Sequence, residues 1–254
     1  DQDTTIEIAV VSSGIDYAGK AEDVAVTTED DDEAGFTVEH SGVSTKVEVD
    51  EAGPASDTFT VKLASQPLSA VELSVSSDDI DEAVVVADGI VVSSETLTFT
   101  SLDWDQAQVV TVRGVNDDID DDDQDTTIEI AVVDDSSDNA FDGLAVDVTV
   151  TTVDDDDAGF TLSKSLVTVD ETGLEAATTD TFDVVLTSQP SGSVVFSVSV
   201  VGSDASELTV SPPTLTFLPG DWDILQEVTV VGQPDSVVDG NQITEVKVEP
   251  PTDS

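Results

Sequence analysis

A ten-residue string, Asp1-Gln2-Asp3-Thr4-Thr5-Ile6-Glu7-Ile8-Ala9-Val10, recurs letter for letter at Asp123 to Val132. Shorter strings return at similar distances. Asp57-Thr58-Phe59 reappears as Asp180-Thr181-Phe182, Ser65-Gln66-Pro67 as Ser188-Gln189-Pro190, Leu97-Thr98-Phe99 as Leu215-Thr216-Phe217, and Asp103-Trp104-Asp105 as Asp221-Trp222-Asp223. The offsets lie between 118 and 124 residues. A unit of about 120 residues is large enough to bury a core of its own, so the chain reads as copies of one domain in tandem.

The copies are cut unequally. Residues 1–33 hold the last strands of a preceding unit, 34–157 a complete unit, and 158–254 a unit that stops before its last strand. An isolated strand pair is marginal in water. Two explanations stand: neighbouring parts of a longer chain lie outside this stretch, or residues 1–29 complete a sandwich in another molecule. The chain contains no Met, which is expected of a processed product or an excerpt.

Within the complete unit, period-2 alternation and turn residues predict strands at about 45–50, 57–64, 70–77, 95–100, 107–113, 125–133 and 144–153. Helical spacing is nowhere sustained. The expected fold is all-β: tandem seven-stranded antiparallel sandwiches of immunoglobulin-like size, without the Cys…Trp…Cys pattern of antibody domains. The last copy is expected to run through its penultimate strand, Gln242 to Val248.

Charge sets the choice of partner. Asp and Glu number 57 against 6 Lys and Arg, a formal charge of −51. Repulsion on that scale excludes nucleic acid and anionic membrane surfaces and favours cations. A uniformly acid-coated, salt-tolerant surface is the plainer explanation, but the acids pile up at Glu29–Glu33, Asp117–Asp125 and Asp154–Asp157. With no Cys and a single His, thiolate and imidazole metal sites are not available. Hard oxygen ligands are, and Ca2+ takes six to eight of them. If the first, fifth and seventh strands of the unit finish at one end, Asp50-Glu51, the acidic turn 116–123 and Asp154–Asp157 converge on one pole.

The junction Asp30-Asp31-Asp32-Glu33-Ala34-Gly35-Phe36, the Val49-Asp50-Glu51-Ala52-Gly53 strand end with its copy Val169-Asp170-Glu171-Thr172-Gly173, and the acidic turn after Gly114 together resemble Calx-β domains. These occur in sodium–calcium exchangers and in repeat arrays of large extracellular proteins. The resemblance implies a seven-stranded sandwich with Ca2+ at the end facing the next domain. The ligands it implies by position are Glu51, Asp117, Asp118, Asp121, Asp123, Asp154, Asp155 and Asp156 in the complete unit, and Asp30, Asp31 and Asp32 in the preceding one. In the last unit Glu171, Asp235 and Asp239 remain, the closing triple acid is missing, and a weak or empty site is expected.

Other chemistry finds little support. Carboxylates in runs at turns do not frame the cleft a glycosidase needs, so no enzyme is expected. Trp104 and Trp222 read as plugs at the sandwich edge, and His40 as a surface or junction residue. The resemblance implies an extracellular, calcium-stabilised rod or fibre: adhesin stalk, surface layer or filament, whose partners are calcium ions and neighbouring repeats of the same or an adjacent chain. A calcium sensor of a membrane transporter and an accessory binding module of a secreted enzyme are the alternatives.

Overall fold

The computed structural model describes residues 2–11, 15–17, 20–40, 46–53, 55–172, 177–202, 206–238 and 240–249. At the start, β1 (Gln2–Ala9) and β2 (Ala21–Thr28) pair antiparallel from Gln2↔Thr28 to Ala9↔Ala21 as a two-stranded sheet. Their apolar side chains face water on this hairpin: Ile6 is 52% and Ile8 61% exposed.

The next ten strands form a two-layer sandwich. In chain order they are β3 (Phe36–His40), β4 (Val47–Asp50), β5 (Ser56–Leu63), β6 (Val71–Ser77), β7 (Ala83–Ala87), β8 (Ile90–Val92), β9 (Ser94–Phe99), β10 (Gln108–Gly114), β11 (Gln124–Val132) and β12 (Ala145–Val153). One sheet runs β3-β5-β10-β7-β8, the other β4-β12-β11-β6-β9. Every pairing is antiparallel except β4 with β12, which is parallel.

Alternation puts one side chain in two between the sheets. Phe59, Val61 and Leu63 of β5 face Val71, Leu73 and Val75 of β6 across a core that also holds Phe99, Val110, Val112, Ile128, Ile130 and Val150. Each such burial contributes about 1.5–3 kcal/mol relative to exposure. Trp104 is partly buried against this core, and its carbonyl accepts from the Leu63 amide at 3.0 Å.

All seven expected strands are present, and β3, β7 and β8 join them. β8 has only three residues, too short for period-2 counting, whereas β3 has five and alternates in burial, a strand outside the seven expected. β7 reads Ala-Val-Val-Val-Ala, an unbroken apolar run with no alternation to detect. Its hairpin with β8 turns at Asp88 (φ 51°) and Gly89 (φ 78°), the positive-φ pair that tight two-residue hairpins require.

The last seven strands repeat the plan in part: β13 (Phe160–Leu162), β14 (Thr179–Leu186), β15 (Val194–Val201), β16 (Leu208–Ser211), β17 (Thr214–Phe217), β18 (Gln226–Gly232) and β19 (Glu245–Glu249). They make sheets of order β13-β14-β18-β16 and β17-β15-β19. The core is smaller, built on Phe182, Val184, Phe196, Val198, Phe217, Val228 and Val230, with Trp222 packed against it. Phe196 stands edge-on to both Phe160 (4.8 Å between ring centres) and Phe217 (6.0 Å). β19 begins at Glu245, three residues later than its alternation suggests, after an irregular stretch from Asn241 to Thr244.

Candidate metal centre

One glycine lets the acidic elements of the complete sandwich meet. A Cβ on Gly114, at the end of β10, would stand 2.6 Å from the Asp50 carbonyl oxygen. Only a bare Cα allows β10 to deliver its acidic turn against the end of β4, where Glu51 follows. The β4–β12 ladder continues past Asp50, because the Glu51 amide donates to the Val153 carbonyl at 3.1 Å. Glu51 thus lies beside the start of the Asp154 run.

The side chains then knit the turn 115–123 to both strand ends. Glu51 is 6% exposed, and its Oε1 accepts from the Asp117 amide at 2.6 Å. Asp117 Oδ1 accepts from the Ile119 amide at 2.7 Å. Asp154 does most: Oδ2 takes the amides of Asp121 (3.1 Å) and Asp122 (2.9 Å), and Oδ1 that of Asp156 (2.8 Å). Asp122 has φ 65°, a left-handed conformation that Asp tolerates better than most residues. In return, Asp123 Oδ1 accepts from the Asp154 amide at 3.3 Å.

The charges act on one another. Burial raises Glu51, and Asp117, Asp154 and Asp156 push it the same way. Burial also raises Asp121 and Asp156, aided by Asp117 and Asp154 in both cases. Asp118 and Asp155 belong to the same field, since each raises Asp156. Among the described residues, no Lys, Arg or His is paired with Glu51, Asp117, Asp121, Asp154 or Asp156.

Two acids absent from the expected set belong to this pole. Glu82, just before β7, is pushed up to about 7 by burial and then by Asp121, Asp79, Glu51 and Asp117. Its carbonyl accepts from the Val115 amide (2.9 Å) and the Thr152 hydroxyl (3.2 Å). The signal was in the run Asp78-Asp79-Ile80-Asp81-Glu82, which leads into the unrecognised strand β7. Asp120 Oδ2 accepts from the Ala158 amide at 2.7 Å, tying the turn to the next unit. The Gln189 amide adds a second tie, donating to the Asp118 carbonyl at 2.5 Å.

The preceding unit shows the tightest carboxylate group among the described residues. Oxygens of Asp30, Asp31 and Asp32 lie within 4.8 Å of one another, all exposed. Of the eight complete-unit acids, Glu51, Asp117, Asp123 and Asp154 accept backbone amides at the pole, and among the described residues the eight form no triplet that close. The last unit copies parts of this pole. A Cβ on Gly232 would meet the Asp170 carbonyl at 2.9 Å, as at Gly114. Asp235 Oδ1 accepts from the Val237 amide at 2.8 Å, as Asp117 does from Ile119. Glu171 lines one groove with Glu207, whose carbonyl accepts from the Gln233 amide at 2.8 Å in the manner of Glu82. Asp239 lies outside the described residues.

No family model and no curated protein matches the chain. Solved structures similar to it include domains 4 and 5 of the S-layer protein SbsC (20% identity, 60% of this chain and 58% of that one, TM-score 0.31). The CBD12 domain of CALX1.2 is similar over 80% of this chain and 77% of its own, at 16% identity and TM-score 0.32. The E. coli chaperone DraB is similar at 7% identity over 81% and 89%, TM-score 0.33. At such TM-scores the likeness bears on neither ligand nor partner.

Proposed function

We propose that the chain is a calcium-stabilised structural repeat of an extracellular rod or fibre, with residues 34–157 as one complete unit and divalent ions bound where one sandwich meets the next. The single observation that supports this most is the pole of the complete sandwich. Burial together with the neighbouring carboxylates, Asp117 among them each time, raises the proton affinity of Glu51, Glu82, Asp121 and Asp156, with no basic side chain paired to these four among the described residues.

Such a donor set fits a hard divalent cation. It offers carboxylate oxygens from just past the ends of β4 and β12 and from the turn after Gly114, and Ca2+ accepts irregular arrangements of six to eight oxygens. Mg2+ demands a stricter octahedron and keeps its water. Glu51, Asp117, Asp118, Asp121, Asp154, Asp155 and Asp156 would hold the ion or ions, with Asp123 and Glu82 at the margin, and Asp30, Asp31 and Asp32 would serve the preceding junction. A bound cation neutralises the mutual repulsion and stabilises the ordered pole by RT ln(1 + [Ca2+]/Kd), about 2.7 kcal/mol at a hundredfold excess.

Asp118 and Asp120 already bond to the following unit, so ordering this turn also orders the seam. Calorimetric titration of the chain tests the reading. Calcium should bind at millimolar or tighter affinity and in clear preference to magnesium, and Glu51→Gln with Asp154→Asn should weaken it at least tenfold. Equal weak heats from both ions, unchanged by the substitutions, would reduce the acids to a salt-tolerant coat.

A further inference from the structure

The two outer faces of the complete sandwich differ in charge. Outward strand positions of the sheet β4-β12-β11-β6-β9 carry Glu48, Asp50, Glu72, Asp125, Glu129 and Asp147, and among the described residues no cation. Those of β3-β5-β10-β7-β8 carry one acid, Glu39, which Lys62 Nζ approaches to 3.7 Å. Its remaining outward positions are serine, threonine, valine and Arg113, the chain's one arginine. Arg113 is in no ion pair among the described residues. In a chain with 57 acids against 6 bases, two bases on one sheet face and none on the other make the sandwich two-sided.

Each face lacks what the other offers. Glu129 and Asp147 stand directly opposite one another on adjacent strands, and like charges so placed destabilise a sheet unless a cation covers them. On the other face Val109 is 57% and Val91 44% exposed, and Val86 lies beside Val91, so apolar surface stays wet next to Arg113 and Lys62. We propose that the outer face of β3-β5-β10-β7-β8 in one copy packs on the outer face of β4-β12-β11-β6-β9 in a second copy, and so sets chains side by side.

The spacing of the charges suits this contact. Arg113 is level with Ser56 on β5, so Arg113 and Lys62 stand about 20 Å apart along the strands. The acids fall at levels about 13 Å apart: Asp125 with Glu48, then Glu129 with Asp147, then Glu72, whose carbonyl takes the Val133 amide. Cations on long stems can therefore reach acids at two levels at once. Sheets packed face to face stand about 10 Å apart. At physiological ionic strength the Debye length is about 8 Å, so the charges that meet decide the contact and the net charge of the whole chain does not forbid it. Acid face on acid face would repel.

Size sets the strength. Five strands about 4.8 Å apart and about 20 Å long give roughly 500 Å² a side, below the about 800 Å² a side of a standard stable interface. A single contact is therefore weak. Each sandwich carries both faces on opposite sides, however, so every copy can take a neighbour on each. The joint is between unlike surfaces and does not close on itself, so it propagates sideways. It uses no divalent ion and does not rest on the function proposed above.

Sedimentation equilibrium of the whole chain, in chelator and at physiological ionic strength, tests the contact apart from any calcium effect. The weight-average mass should rise above that of one chain at high micromolar concentration. Lys62→Glu with Arg113→Glu should weaken association at least tenfold, and so should Glu129→Lys with Asp147→Lys, each with an unchanged β signature in circular dichroism. Mixing the two variants should restore it, because each then supplies the charge the other needs. Lys62→Gln with Arg113→Gln carries the same expected loss if a charge-reversed chain does not fold. A parent whose mass stays constant, association indifferent to these substitutions, or a mixture that stays monomeric would overturn the proposal.

Discussion

Asp57 sits where three donors converge. Its Oδ2 meets His40 Nε2 at 2.8 Å and takes the Glu48 amide at 3.1 Å, and its Oδ1 takes the Thr58 amide at 2.8 Å. Burial opposes the charge, yet these bonds hold the carboxyl below its ordinary value. The last unit repeats the device with Lys164 in place of His40: Lys164 Nζ donates to Asp180 Oδ1 at 2.6 Å, and that bond leads in holding Asp180 low. A residue read from sequence as a bland His is therefore one half of a repeated clasp from β3 onto β5. The Asp57→Ala variant should cost about 1.5–3 kcal/mol, read as a lowered denaturant midpoint. Glu82 has the opposite sign. Its folded value near 7 lies above the ordinary 4.5, so protonated Glu82 favours the fold below about pH 4.5, and that contribution is lost as pH rises through about 7. In chelator, the chain should melt at higher temperature at pH 5 than at pH 8, and Glu82→Gln should flatten that slope. Gly114→Ala should destabilise the sandwich by about 1–3 kcal/mol through overpacking against Asp50 and weaken calcium uptake alongside.

At the scale of elements, β4 and β12 matter most for the pole, because their parallel ladder ends at Asp50 and Val153, side by side, where both acid runs start. That convergence was legible in the sequence. Alternation located seven strands, and placing acids at the ends of three of them predicted a common pole. What alternation cannot see is an element too short or too uniformly apolar to alternate, and β7 is both adjacent to Glu82 and of that kind. Missing the strand meant missing the acid in front of it. Nor does spacing reveal that Asp154 spends its oxygens on three amides, which shapes the turn as much as it shapes an ion site. The Asp154→Ala variant should accordingly speed hydrogen exchange at the Asp121 and Asp122 amides, measured by NMR, even in chelator; protection unchanged from the parent would remove Asp154 from that role.

For the whole molecule, the repeats put like charge at each seam, where Coulomb repulsion works against a straight, close-set array. Roughly 1 kcal/mol per close pair in water, and more at lower dielectric, has to be offset at every junction, and monovalent salt only screens it. A divalent ion held by both the turn 116–123 and the Asp154 run would offset it and stiffen the seam together, since that turn also bonds to Ala158 and Gln189. Small-angle scattering of the chain at fixed ionic strength, in chelator and then in millimolar calcium, tests this most directly. The account predicts a longer, narrower distance distribution in calcium with an unchanged β signature in circular dichroism, reversed by Glu51→Gln with Asp154→Asn. Superimposable distributions in the two solutions would contradict it.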